Sequence, residues 1–231
     1  MSSHRPTPPK QPPTPPKPSL TERRKAATQL DIARAAAALF AERGPDGTTA
    51  EEVAQDAGVA LRTFYRYFRN KQDAIGPLLA GGADRWRALL AAADPGVPLA
   101  ESLENAATEA LSVPDERAKE GLLQTRGLLR AAAGDPALRA VWYRVNQESE
   151  EQLVPVVARL AGTGADALTT RLAAAAATDA IRIALETWAH TNGPTTGTGS
   201  PADLAVRCLR ELMGGMRLLD GKGRGKDERN R

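Results

Sequence analysis

Between Thr48 and Lys71 this 231-residue chain gathers side chains suited to an anionic, hydrogen-bonding partner: Arg62, Thr63, Arg66, Arg69, Asn70 and Lys71, interleaved with Phe64, Tyr65, Tyr67 and Phe68. Guanidinium forks make paired hydrogen bonds to phosphate or to the acceptor edge of guanine, hydroxyls supplement them, and an ammonium adds a point charge. Four of the chain's nine aromatic residues fall in this stretch, so something local requires large rings. Other chemistry is sparse. The single cysteine, Cys208, excludes an internal disulfide and a multi-cysteine metal site, and two histidines, His4 and His190, leave little for acid–base or zinc chemistry. There is no Gly-x-Ser-x-Gly, no phosphate-binding Gly-x4-Gly-Lys-Ser/Thr and no Gly-x-Gly-x-x-Gly after a strand. The glycine-rich loop Gly193 to Ser200 lacks the lysine and the strand that a nucleotide loop needs. The expectation is a protein that is not an enzyme and uses no cofactor or metal.

The basic stretch must be held by something rigid. Thr49 can cap a short helix over about 49–57 that turns Val53, Ala54 and Ala57 inward; Gly58 supplies the permissive backbone of a sharp corner, and a second short helix follows at about 60–68. Small Ala54 lets the two helices approach, and Phe64 and Phe68, spaced i and i+4, face Val53 and Phe40. The outer face of the second helix then carries Leu61, Arg62, Thr63, Tyr65 and Arg66. This is helix-turn-helix geometry, in which the second helix fits the DNA major groove. A generic helical hairpin shares the Ala54, Gly58 and Phe64 spacing, but its outer face has no reason to be so polar and cationic.

The rest of the chain reads as helix after helix, without sustained strand alternation. Ser19 and Glu22 form a capping-box pattern, and Ile32, Ala36, Leu39 and Phe40 recur at helical spacing until Gly44. A helix from Lys71 towards Ala93 is expected to kink or restart around Gly76-Pro77 and Gly81-Gly82. Further helices are expected at about 98–111, 115–133, 136–161, 165–191 and 201–219, with Pro155 a candidate break. Residues 1–18 hold eight of the 17 prolines and read as a disordered arm, and 220–231 as a disordered tail. Between them the expected units are 19–75, which binds DNA, and 76–219, a larger helical body with a separate task. Residues 1–93 carry 14 Lys and Arg against 9 Asp and Glu, whereas 94–219 carry 12 against 16, so positive charge sits at the front. No apolar run reaches the ~18 residues of a membrane helix, and the start has no signal-peptide pattern, so a soluble, cytoplasmic protein without a membrane partner is expected.

Thr49-Ala-Glu-Glu-Val-Ala, Ala57-Gly-Val and above all Thr63-Phe-Tyr-Arg-Tyr-Phe-Arg-Asn-Lys71 resemble the N-terminal domain of TetR-type one-component transcriptional repressors over about residues 22–75. The resemblance implies an all-α fold with an N-terminal three-helix helix-turn-helix domain and a C-terminal helical ligand-binding and dimerisation domain. It implies a homodimer on palindromic operator DNA, released by a small-molecule effector. Carried across, Leu61, Arg62, Thr63 and Arg66 would face bases, and Thr49, Tyr65, Tyr67 and Lys71 would hold phosphates; Tyr67 stands where the family usually has histidine. The alternative function is a helical scaffold or a nonspecific nucleic-acid binder without an effector.

In the body, Leu204, Cys208, Leu212 and Met216 form an i, i+4 stripe, widened by Leu209, Met213 and Leu219, that suits a subunit seam; the core helix of a monomer would look similar. Leu128-Leu-Arg and Asp135-Pro-Ala-Leu-Arg139 are loosely similar to a subgroup that takes acyl-CoA-like ligands. Trp86, Arg126, Trp142, Asn146, Arg182 and Glu186 are candidate ligand contacts, as bulky or polar residues on otherwise apolar helices, with ordinary packing or an Asp179, Arg182, Glu186 ion-pair ladder as the competing reading. The scarcity of charge on those helices favours a largely apolar effector.

Overall fold

The computed structural model describes residues 19–214, and within them the regular elements are helical. The expected proline-rich arm, the basic tail, Met216 and Leu219 lie outside the described residues. In chain order the helices are α1 (Leu20–Arg43), α2 (Ala50–Asp56), α3 (Leu61–Tyr67), a 3-10 turn at Asp73–Ile75, α4 (Gly76–Ala92), α5 (Leu99–Ala110), α6 (Glu116–Gly134), α7 (Pro136–Ala161), α8 (Ala167–Thr191) and α9 (Pro201–Met213).

Local chemistry accounts for many of these boundaries. Ser19 and Glu22 close a full capping box on α1, with the Ser19 amide donating to Glu22 Oε2 at 2.6 Å and the Glu22 amide to Ser19 Oγ at 3.2 Å. The α1 helix ends at Gly44, where φ of +76° favours glycine. Asp115, Asp135, Asp166 and Ser200 cap α6, α7, α8 and α9 through their side-chain oxygens. The helix expected from Lys71 begins instead at Gly76 with Pro77 in its first turn, after the 3-10 turn, and passes Gly81-Gly82 without a break.

Pro155 does not divide α7. The helix runs unbroken across it, because the exposed proline sacrifices only a solvent-side hydrogen bond while Leu153, Val157 and Leu160 stay anchored in the core on either side.

Two apolar clusters organise the packing. The first joins α1, α2 and α3 to the start of α4, the end of α6, the start of α7 and the end of α8, through Ile32, Phe40, Val53, Phe64, Leu128 and Trp142 among others. The second lies farther along the body and combines Trp86, Leu90, Leu103, Leu153, Leu209 and Met213. Fully buried alanines at 173, 174, 177, 180 and 184 make α8 thin enough for α7 and α9 to pack closely on it. Among the described residues no helix is long and apolar enough to cross a bilayer.

Candidate functional site

The corner between α2 and α3 is fixed from both sides. On α2, Thr49 Oγ1 accepts from the Glu52 amide at 3.2 Å while Glu52 Oε2 takes the Thr49 amide at 2.7 Å. The Thr49 amide and the Thr49 hydroxyl, which donates to the same oxygen at 2.9 Å, hold the Glu52 carboxyl below the usual carboxylate range. Buried Thr48 donates to the Gly44 carbonyl at 3.0 Å. Gly58 turns the chain at φ +66°, and the Val59 amide reaches back to Ala54 O at 2.9 Å.

Phe64 then enters the core completely, with Phe68 at a ring-centroid distance of 5.7 Å, so the rotation of α3 about its axis is set by aromatic burial. That rotation leaves Arg62, Tyr65 and Arg66 exposed on one face. Thr63 is half-buried beside them. Leu61, expected to face outward, is half-buried and packs on the first cluster, because its position at the start of α3 puts it over the corner. Tyr67 also rests on that cluster, while its hydroxyl accepts from Arg66 Nη2 at 3.1 Å and its ring lies 4.8 Å under the guanidinium carbon. The expected phosphate contact at Lys71 is already engaged within the chain: Nζ donates to the Thr48 carbonyl at 2.8 Å, closing the loop between α3 and the start of α2. Two of the three ammonium donors remain for a phosphate.

A further group escaped the sequence reading. Asp73, nearly buried, accepts from Arg69 Nε at 2.8 Å and from Arg144 Nη2 at 3.0 Å, while its amide bonds to Asn70 Oδ1 at 2.8 Å. Arg69 therefore splits its role between the basic face and this clasp. Next to it, Gln72 Nε2 donates to Asp135 Oδ2 at 3.0 Å. Burial would raise the Asp135 carboxyl, but hydrogen bonds from Gln72 and from the Leu138 and Ala137 amides outweigh it and hold the group below its ordinary range. The i, i+4 spacing of Arg69 and Asp73 was a local signal for their pair, whereas nothing local signals the contacts with Asp135 and Arg144, 63 and 71 positions from their partners.

Between the two apolar clusters lies a cavity of about 280 Å³ lined by α4, α6, α7, α8 and the end of α5. Trp86, Trp142 and Asn146 line it; the other three candidate ligand residues do not. Arg126 stacks 3.8 Å over the Trp188 ring and donates to the Gly193 carbonyl, while neighbouring Arg130 donates to Ala189 O at 2.6 Å and to Asn192 Oδ1. Both arginines serve the carbonyl end of α8, where cations are stabilising. Arg182 forms the ladder with Asp179 and Glu186 at 2.9 and 3.1 Å, and Glu186 also accepts from Trp142 Nε1 at 2.7 Å. Glu186 thus orients a cavity-lining ring without lining the cavity itself.

The apolar stripe on α9 is split by the structure. Ala205, Leu209 and Met213 point into the chain's own core, one position out of step with the expected face. Leu204 and Cys208 are half-buried on its flank, where burial pushes the Cys208 thiol up, and Leu212 is 43% exposed. Packed along α9, α8 exposes Leu168, Leu172 and Ile183, an apolar face that alanine-rich composition concealed in the sequence. The 128–139 segment is structural: Leu128, Leu129 and Leu138 are buried, and Asp135 caps α7.

Residues 32–74 match the family described as bacterial regulatory proteins, tetR family. The HTH-type transcriptional regulator TcmR of Streptomyces glaucescens is 29% identical over 156 residues, covering 64% of this chain and 67% of its own. Among solved structures, a putative TetR-family regulator from Rhodococcus sp. superposes with a TM-score of 0.53 at 20% identity, covering 82% of this chain and 99% of that one. Another, from Syntrophomonas wolfei, gives 0.53 at 14% identity over 87% and 100%. These matches do not support the acyl-CoA-like subgroup.

Proposed function

We propose that the chain is a TetR-family transcriptional regulator that represses by occupying a palindromic operator as a cytoplasmic homodimer and is released when a small molecule fills the body cavity. One observation carries the DNA-binding half: behind the Gly58 corner, burial of Phe64 presents Arg62, Tyr65 and Arg66 together on the exposed face of α3. Arg62 is the base reader, because it is exposed near the N-terminal end of that helix, where recognition helices reach base edges. Thr63 and Arg66 support it, whereas Leu61 supports the corner. Thr49, Tyr65, Tyr67 and Lys71 hold the backbone phosphates on either side.

Two subunits place their α3 helices about one turn of DNA apart, ~34 to 36 Å, only if the bodies pair. We assign that seam to the exposed faces of α8 and α9: Leu168, Leu172 and Ile183 with Leu204, Cys208 and Leu212. For the release half, the cavity touches Leu79, Trp142, Val145 and Leu185, all members of the cluster shared with α1, α2 and α3. A molecule that binds preferentially to a body shape incompatible with operator spacing shifts the population off DNA. Gel-shift titration of genomic fragments at moderate salt, with and without bulk competitor, tests the reading; equal affinity for every duplex would reverse it in favour of a nonspecific binder.

A further inference from the structure

Filling the cavity is part of the proposed regulation, and the chemistry of its lining narrows what can fill it, an inference that rests on that reading. Most of the wall is apolar, including Leu79, Leu111, Leu122, Val145 and Ile181 with the rings of Trp86 and Trp142. Among the described lining residues the only charge is Arg85, an exposed side chain at the wall that donates to the Glu109 carbonyl at 3.2 Å. No carboxylate lines the space to receive a cation, which would shed its hydration there without a counter-charge.

The polar groups are unevenly satisfied: Ser112, Thr125 and Asn146 each donate to a backbone carbonyl, of Glu109, Gly121 and Trp142. The chain has three indole N–H groups: Trp142 donates to Glu186 at 2.7 Å, Trp188 donates to Pro194 O at 2.8 Å, and Trp86 Nε1 is buried without a partner. Thr178 Oγ1, also on a lining residue, is the other buried orphan beside the cavity. Their residues are only 3% and 5% exposed, so neither group has exchanged its water for anything in the protein. Trp86 sits in the second apolar cluster together with Ala177, the neighbour of Thr178, whereas Leu79, Trp142 and Leu185 belong to the first. Ser149, one helical turn before Leu153 of the second cluster, adds a third polar side chain there.

We propose that the cavity takes an uncharged, largely apolar molecule whose carbonyl, or equivalent acceptor oxygen, receives a hydrogen bond from Trp86 Nε1, with the Thr178 hydroxyl engaging the same polar end. The acceptor end lies away from the DNA-binding helices, and the apolar end meets Trp142, Val145 and Leu185 on the side that leads to them. The volume of about 280 Å³ is at the small end of the range for ligand pockets, which suits a compact ring system.

Fluorenone, fluorene and 9-aminoacridine share a flat tricyclic outline and differ in chemistry: one bears a carbonyl, one lacks it, one is a cation. Titrated into the full-length protein and followed by calorimetry, fluorenone should bind about 3- to 10-fold more tightly than fluorene, the increment of one net hydrogen bond. With 15N-labelled tryptophan, the Trp86 indole signal, assigned by its loss in Trp86→Phe, should shift with fluorenone and hardly with fluorene. Trp86→Phe, which keeps a smaller aromatic ring and removes the donor, and the isosteric Thr178→Val should each erase the preference. Equal binding of fluorene, tighter binding of 9-aminoacridine, an unchanged preference in both variants, or no binding of any probe would overturn the proposal. Operator affinity measured on the same unliganded samples tests the regulator reading separately, so either can fail alone.

Discussion

Asp73 Oδ1 accepts a hydrogen bond from Arg144 Nη2 at 3.0 Å, tying the turn that follows the recognition helix to the helix that lines the body cavity. The other oxygen of Asp73 holds Arg69, two residues beyond the end of α3, at 2.8 Å. One carboxylate therefore connects α3 to α7, and Trp142, Val145 and Asn146 surround the Arg144 position on the cavity side of the chain. A shift of α7 on ligand entry has a short mechanical route to the DNA face.

Cutting that route separates binding from release. Arg144→Met leaves the Asp73 carboxyl one partner short, and since the arginine is partly solvated the stability loss should be about 1 kcal/mol. Operator binding should persist, but a ligand that releases the wild-type protein should release the variant less. In denaturant titrations, Asp73→Asn and Arg144→Met should be non-additive by at least about 0.5 kcal/mol. Additive losses and unaltered release would assign the pair a passive role.

Arg62 and Lys71 should differ in kind. Arg62→Ala is expected to cost ~1 to 3 kcal/mol on the preferred operator and to relax its sequence preference. Lys71→Ala should weaken all duplexes alike and lower the salt slope. Because Lys71 also bonds the Thr48 carbonyl, it should lose stability as well, by about 1 kcal/mol. Salt-dependent fluorescence anisotropy on operator and scrambled duplexes distinguishes the two patterns.

The seam assignment predicts folded monomers. Leu172 and Leu212 are exposed in the single chain, so replacing both by glutamate should leave helix content intact while sedimentation drops to the monomer and operator affinity collapses. Leu209→Glu, by contrast, buries a charge in the chain's own core and should unfold it. A dimer that survives the double substitution would move the interface elsewhere.

Acid should loosen the contact between Gln72 and Asp135. The Asp135 carboxyl is held below its ordinary value in the folded state, so its stabilising contribution is present above the unfolded value, near pH ~4, and disappears as pH falls through the folded one. Asp135→Asn keeps a capping oxygen but cannot titrate. The stability gap between wild type and Asp135→Asn should therefore be constant from pH 7 to 5 and close below about 4; a gap that widens in acid would contradict the assignment.

The DNA-binding end was legible because its physics is local. Ser19 with Glu22, the Thr49 cap, Gly58 and Phe64 act within a few residues of themselves, and each does in the structure what its spacing implies. The body was not. Whether Arg126 meets a ligand or the end of α8 depends on a carbonyl 67 positions away, and whether Leu204 or Ala205 faces the core depends on a rotation of 100° that an alanine-rich partner helix decides. The Asp179, Arg182, Glu186 ladder, being local, was again readable.

Sequence-specific binding through α3 is the premise on which the proposed repression and release both depend. Selection of genomic fragments by the purified protein, followed by anisotropy on the recovered site at physiological salt, should yield a two-fold symmetric sequence bound at least ~10³-fold more tightly than bulk DNA, with that ratio reduced by Arg62→Ala. Recovery of no common sequence, or a ratio near unity that Arg62→Ala leaves unchanged, would contradict it.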